Sequence, residues 1–167
     1  MKATSEEAYE ALIEEHLVSH GGYDQGNPKA YDADLALIPE DLLTFVEKTQ
    51  PKVWAKQQQI HGSDLPKTLL TAFDKATKGP KGVLDVIRHG FKFYGQTVRV
   101  AAFQPAHGLN PEIEEQYRAN VLRVVRQVHH DPKQPKDSTD VVLFLNGIPI
   151  VTAELKNAMT SQKASHA

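Results

Sequence analysis

Asp140-Val-Val-Leu-Phe-Leu-Asn-Gly-Ile-Pro-Ile-Val-Thr-Ala-Glu154-Leu-Lys156 opens on a lone acid, turns at Asn146-Gly147, and closes on a Glu and a Lys two residues apart. The apolar runs on either side of Asn146-Gly147 read as two strands of a hairpin. Runs this continuously apolar suggest strands covered on both faces. Side chains alternate along a strand with period 2, so Glu154 and Lys156 share a face. Whether Asp140 joins them depends on the connection. A plain two-residue turn would pair Leu145 with Ile148 and Asp140 with Ala153, which turns Glu154 away from Asp140. An odd-length connection restores the parity. One form is a three-residue loop through Leu145, Asn146 and Gly147 with Gly147 left-handed. The other is a two-residue turn plus a bulge nearer the site, for which the strand-breaking Pro149 is a candidate. The sequence therefore predicts a hairpin that departs from the plain turn, with Asp140, Glu154 and Lys156 on one face.

Two carboxylates and an ammonium at a sheet end suit divalent-metal binding and activation of a water, the equipment that phosphodiester hydrolysis needs. In that chemistry Asp140 and Glu154 are oxygen ligands for Mg²⁺, which takes one or two carboxylates and keeps several waters. Lys156 orients or helps deprotonate the attacking water and steadies charge on the scissile phosphate. Glu-x-Lys alone carries little information. Its place after an Asp-headed apolar strand is much rarer, because a charge at the end of a buried strand costs stability unless paired or metal-bound. The competing reading is an ordinary hairpin with structural charges, in a non-catalytic assembly or scaffold module.

The stretch from Asp140 to Lys156 resembles the PD-(D/E)xK nuclease signature. It looks most like the version in the N-terminal nuclease domain of type I restriction enzyme R (motor) subunits. Similar segments recur along the chain: Gly21-Gly22-Tyr23, Thr49-Gln50-Pro51 with Trp54, Val86-Ile87-Arg88-His89-Gly90, Leu109-Asn110-Pro111, and the run from Asn120 to Gln127. The resemblance thus spans essentially the whole chain. It implies a restriction-endonuclease-like mixed sheet with flanking helices, in the α+β or α/β class, with a helical N-terminal half. It adds the carbonyl of Leu155 as a metal ligand, and a helical Glu backing the site. Glu6, Glu10 and Glu14 recur every four residues in the first helix; Glu10 is the choice and Glu6 the reserve. It also implies double-stranded DNA as substrate and Mg²⁺ as cofactor. Separate methylation and specificity subunits would be the partners, in a cytoplasmic setting. ATP enters only through motor domains that the resemblance places outside this chain. On the same grounds residues 1–167 read as one endonuclease domain, truncated after the Glu-x-Lys strand. The tail departs from the pattern: Gln162 is followed four positions later by His166, where related nucleases carry a Tyr.

The bulk properties bound these readings. At 167 residues the chain suits one well-packed domain. The absence of Cys excludes disulfides and thiolate metal sites. No apolar run approaches membrane-spanning length, and Met1 to Glu7 lacks a signal-peptide core. A net charge of −2 argues against strong autonomous DNA affinity, so cutting requires DNA delivered by something else. Lys78-Gly79-Pro80-Lys81-Gly82 is not a nucleotide-binding P-loop, since Pro disrupts it and no Ser or Thr follows the Lys.

The elements run helices first, sheet second. Thr4 with Glu7 caps a helix through Val18 that carries an apolar stripe of Tyr9, Leu12, Ile13 and Leu17. Pro39 and Pro51 each start a helix. Ser63 caps another that ends near Gly79, and a short helix covers Val83 to Arg88. Thr97 to Phe103 reads as a strand, Asn110-Pro111 as a helix start and Val121 to Val128 as a strand. The adjacent His129 and His130 face opposite ways on a strand and read as a polar strand end rather than a metal cluster. Arg118, Arg123 and Arg126 form a loose basic cluster, by default a solvated face.

Overall fold

A computed structural model describes residues 6–106, 110–131, 134 and 137–156. The expected cap Thr4 and the tail with Gln162 and His166 lie outside the described residues. By backbone contacts the chain divides into two compact units, Ile38–Val121 and the combined segments Met1–Leu37 and Leu122–Ala167.

The Ile38–Val121 unit is mostly helical. Helices α2 (Pro39–Thr49) and α3 (Pro51–His61) each begin on a proline, whose fixed φ and missing N–H suit the first turn. Gln50 between them is tied at both ends of its amide. Its Oε1 accepts from the Arg99 N–H at 2.9 Å, and its Nε2 donates to the Arg99 carbonyl at 2.8 Å. Helix α4 (Leu65–Thr77) buries Leu65, Leu69 and Phe73, spaced four apart on one face. The sequence pointed to Ser63 as its cap. Instead Ser63 lies in a 3₁₀ turn, Gly62–Asp64, that runs directly into the helix, so no side-chain cap is made.

Helix α5 (Gly82–His89) ends at Gly90, which has φ 75° and faces the Val98 carbonyl so closely that a Cβ would sit 2.2 Å from it. Only glycine fits there. The chain then forms a hairpin of β2 (Phe91–Phe93) and β3 (Gln96–Val98), with Phe91 packed edge-on against Phe73. This corrects the long strand expected over Thr97 to Phe103: the strand stops at Val98 because its partner β2 is three residues long. Helix α6 (Pro111–Arg118) is capped by Asn110, whose side-chain oxygen accepts from the N–H groups of Glu112 and Ile113.

The other unit is a four-stranded mixed sheet with a helix against it. Its order is β1 (Asp24–Gln25), β4 (Leu122–Val128), β5 (Thr139–Leu145) and β6 (Ile148–Ala153). β1 runs parallel to β4 and the remaining pairs are antiparallel. Helix α1 (Glu6–His20) lies against β4 and β1. In β5 the neighbours Val141 and Val142 are both buried, as expected of a strand covered on both faces. β6 departs from that expectation. Among the described residues it pairs only with β5, and Ile150 and Val151 are exposed. Its Pro149 suits an edge position, where a missing N–H breaks no ladder. The whole is mixed α+β with a helical first half, consistent with a restriction-endonuclease-like fold.

Candidate functional site

The site begins with the turn. Asn146 and Gly147 have φ 50° and 81°, the left-handed pair of a type I′ two-residue turn, and Leu145 pairs with Ile148. Left plain, this register would separate the acids. Between Leu143 and Phe144 it shifts: Phe144 pairs with Pro149 but Leu143 pairs with Val151, so Ile150 is an extra residue on β6. The bulge beside Pro149 is therefore the device that restores parity, rather than the three-residue loop. Val141 then pairs with Ala153, the last pair of the ladder, and by alternation Asp140 and Glu154 fall on the same face just beyond it.

Asp140 is the hub. Its Oδ2 accepts from the Leu155 N–H at 2.6 Å, which fastens it to the segment leaving β6. Its Oδ1 faces Gln127 Nε2 at 3.4 Å. Glu154, on the exposed side, has its pKa raised above the ordinary carboxylate value, first by partial desolvation and second by the Asp140 charge. Lys156, His130 and a backbone hydrogen bond from Asp140 pull it back down. The two carboxylates thus sense each other, and the Lys156 ammonium lies close enough to Glu154 to favour its charged form.

Helix α1 presents acids to the same region. Glu10 is 3% exposed and accepts from Gln127 Nε2 at 2.9 Å. Glu14 is 8% exposed and pairs with the Arg126 guanidinium at 3.0 Å. Glu6 is exposed and, with Glu10, Glu14, Gln127 and Asp140, lines a cleft of about 560 Å³. Glu154 and Lys156 do not line it; they lie in the segment that follows β6. Glu10 therefore reaches Asp140 through the Gln127 amide.

The expected apolar stripe of α1 is corrected in part. Ile13 and Leu17 are half-buried, but Tyr9 and Leu12 are 52% and 59% exposed while Glu10 and Glu14 are buried. The polar partners Arg126 and Gln127 on β4 draw the acidic face inward. Of the loose basic residues, Arg118 pairs with Glu114 in α6 and Arg126 with Glu14. Sequence reasoning missed Gln127 and Ser138. Gln127 ends the run from Asn120 but carried no site role there, and the register of β4 against β5 is what brings it to Asp140, with Ser138 bonded to its amide. His130 was read as a strand-end polar residue, yet its charge is felt at Glu154.

Among the described residues no three His, Cys, Asp or Glu converge as a metal cluster. The donor chemistry nevertheless fits a hard cation that keeps most of its waters, because Asp140 and Glu154 offer paired oxygens whose mutual repulsion a divalent charge relieves. No helix among the described residues is long and apolar enough to cross a membrane. No curated protein and no solved structure matches the chain. A family model does, over residues 3–166, and it describes the type I restriction enzyme R protein N-terminus. With nearly its full length inside that match, this chain belongs to the family of type I restriction enzyme R protein N-terminal regions.

Proposed function

We propose that this chain is the nuclease domain of a type I restriction enzyme R subunit and hydrolyses phosphodiester bonds of double-stranded DNA. Mg²⁺, held by Asp140, Glu154 and the carbonyl of Leu155, would supply Lewis-acid charge at the phosphate and lower the pKa of a bound water. The observation that supports this reading is the bulge at Ile150, which shifts the register so that Val141 pairs with Ala153 and, by strand alternation, Asp140 and Glu154 fall on one face. A hairpin without it would keep the same residues and lose the shared site.

The chain's own groups divide the remaining work. The Leu155 N–H holds Asp140 in one orientation. Lys156 orients the attacking water and steadies the negative charge that grows on the phosphate. Glu10, buried behind Gln127, supports the site from α1. A net charge of −2 gives the chain little grip on DNA by itself, so DNA arrives through an ATP-driven motor elsewhere in the enzyme. Methylation and specificity subunits complete the complex, which acts on DNA in the cytoplasm.

The test is cleavage by the assembled enzyme carrying Asp140→Ala, Glu154→Ala or Lys156→Ala. Each substitution abolishes double-strand cutting and leaves ATP hydrolysis and translocation intact. Near-normal cutting by any variant removes that residue from the mechanism. Near-normal cutting by all three favours an assembly module with a structural charged hairpin.

A further inference from the structure

Gln127 sits within strand β4 yet has φ 54°, in the left-handed region that side-chain-bearing residues rarely adopt. Its neighbours Arg126 and Val128 pair with Val141 and Thr139, so Gln127 stands directly across from Asp140. A strained backbone at that one position is an observation in search of a function. The side chain supplies one. Its Nε2 donates to Glu10 Oε1 at 2.9 Å and lies 3.4 Å from Asp140 Oδ1. Its Oε1 accepts from the Ser138 hydroxyl at 2.6 Å.

This pattern fixes which way the amide points. Ionised carboxylates only accept, so the NH₂ end must face Glu10 and Asp140, and the oxygen must face a donor. Ser138 is that donor. One amide therefore links α1, β4, the residue before β5, and β5 itself. Asp140 is gripped from two sides, by the Leu155 N–H on Oδ2 and by Gln127 on Oδ1.

We propose that Gln127 is a positioning residue for the cation site: it holds the Asp140 carboxylate in the orientation that captures the metal, with Ser138 setting the amide and Glu10 anchoring it. An amide neither gives nor takes a proton near neutral pH, so its part is to aim Asp140 and not to react. The inference rests on the reading of Asp140 as a metal ligand. A purely structural Gln127 would tie α1 to the sheet and leave metal affinity alone.

Mn²⁺ binding by the whole chain, followed by electron paramagnetic resonance, separates these roles. The wild type binds and Asp140→Asn does not. Gln127→Met fills similar space without donating, and weakens binding about tenfold or more, the usual effect of losing a partner that orients a ligand. Gln127→Gly relieves the backbone and also removes the amide, so it weakens binding to the same degree. Ser138→Ala produces a smaller loss in the same direction.

A second readout needs no variant at position 127. On Mg²⁺ addition to the wild type, the Gln127 side-chain NH₂ signals shift in the ¹⁵N spectrum together with the Leu155 amide. Wild-type affinity in both Gln127 variants, or unmoved Gln127 NH₂ signals beside a shifting Leu155 amide, overturns the positioning role while the metal site stands. Binding indifferent to Asp140→Asn overturns the metal reading and this inference with it.

Discussion

Helices α1 and α4 obey opposite rules. In α4 the residues four apart that turn inward are Leu65, Leu69 and Phe73, and burial follows hydrophobicity. In α1 the residues four apart that turn inward are Glu10 and Glu14, while Tyr9 and Leu12 face outward. The contrast lies in what each helix meets. α4 packs against α5 and the phenylalanines of β2, whereas α1 meets Arg126 and Gln127 on β4. A helix that buries two glutamates while exposing Tyr9 and Leu12 has traded some apolar burial for charge placement, and such local conflicts are expected near functional sites.

This contrast has measurable edges. In α4, Phe73→Ala opens a cavity in an apolar core and costs about 3–5 kcal/mol in chemical denaturation. A loss below about 1 kcal/mol would show that α4 is not the core helix described. In α1 the corresponding large effect belongs to an acid. Glu14→Ala leaves the half-buried Arg126 guanidinium without this carboxylate and costs about 1–3 kcal/mol. Leu12→Ser on the same helix, despite removing a leucine, stays within about 0.5 kcal/mol of the wild type. A larger loss for Leu12→Ser than for Glu14→Ala would restore the conventional orientation of α1.

The smallest effect is electrostatic. The folded-state pKa of Glu154 is raised, first by desolvation and then by Asp140. The folded protein therefore holds this proton more tightly than the unfolded chain does. The favourable contribution is present at low pH and declines as pH rises from the ordinary Glu value through the raised one. Asp140→Asn removes the second cause, so the Glu154 titration followed by NMR moves down. An unmoved titration would show that the Asp140 charge is not felt at Glu154.

Much of this was legible in the sequence for identifiable reasons. Pro39, Pro51 and Asn110-Pro111 mark helix starts because their backbone constraints act locally. For Asp140 and Glu154 to share a face, strand parity requires an odd-length connection, either a three-residue loop or a bulge for which Pro149 is a candidate. Of the two connections the sequence left open, the structure adopts the type I′ turn with an extra residue at Ile150. Other features depend on partners distant in sequence. The inward face of α1 is set by Arg126 and Gln127, over a hundred residues away, so a periodicity count within the helix places Ile13 and Leu17 on the half-buried side but misses Glu10 and Glu14 there. β1 is two residues long and exists only as a partner of β4. The exposure of β6 reflects its edge position, which a continuous apolar run does not reveal.

The central claim is that Asp140 and Glu154, brought to one face by a bulged hairpin, form one divalent-cation site. Calorimetric titration of the chain with Mg²⁺ tests it most directly, using Asp140→Asn, Glu154→Gln and, as a control on the exposed side of α1, Glu15→Gln. The account predicts one cation per chain in the wild type and in Glu15→Gln, with affinity lowered more than about tenfold by either substitution at the hairpin. Equal Mg²⁺ affinity in all four proteins would contradict it.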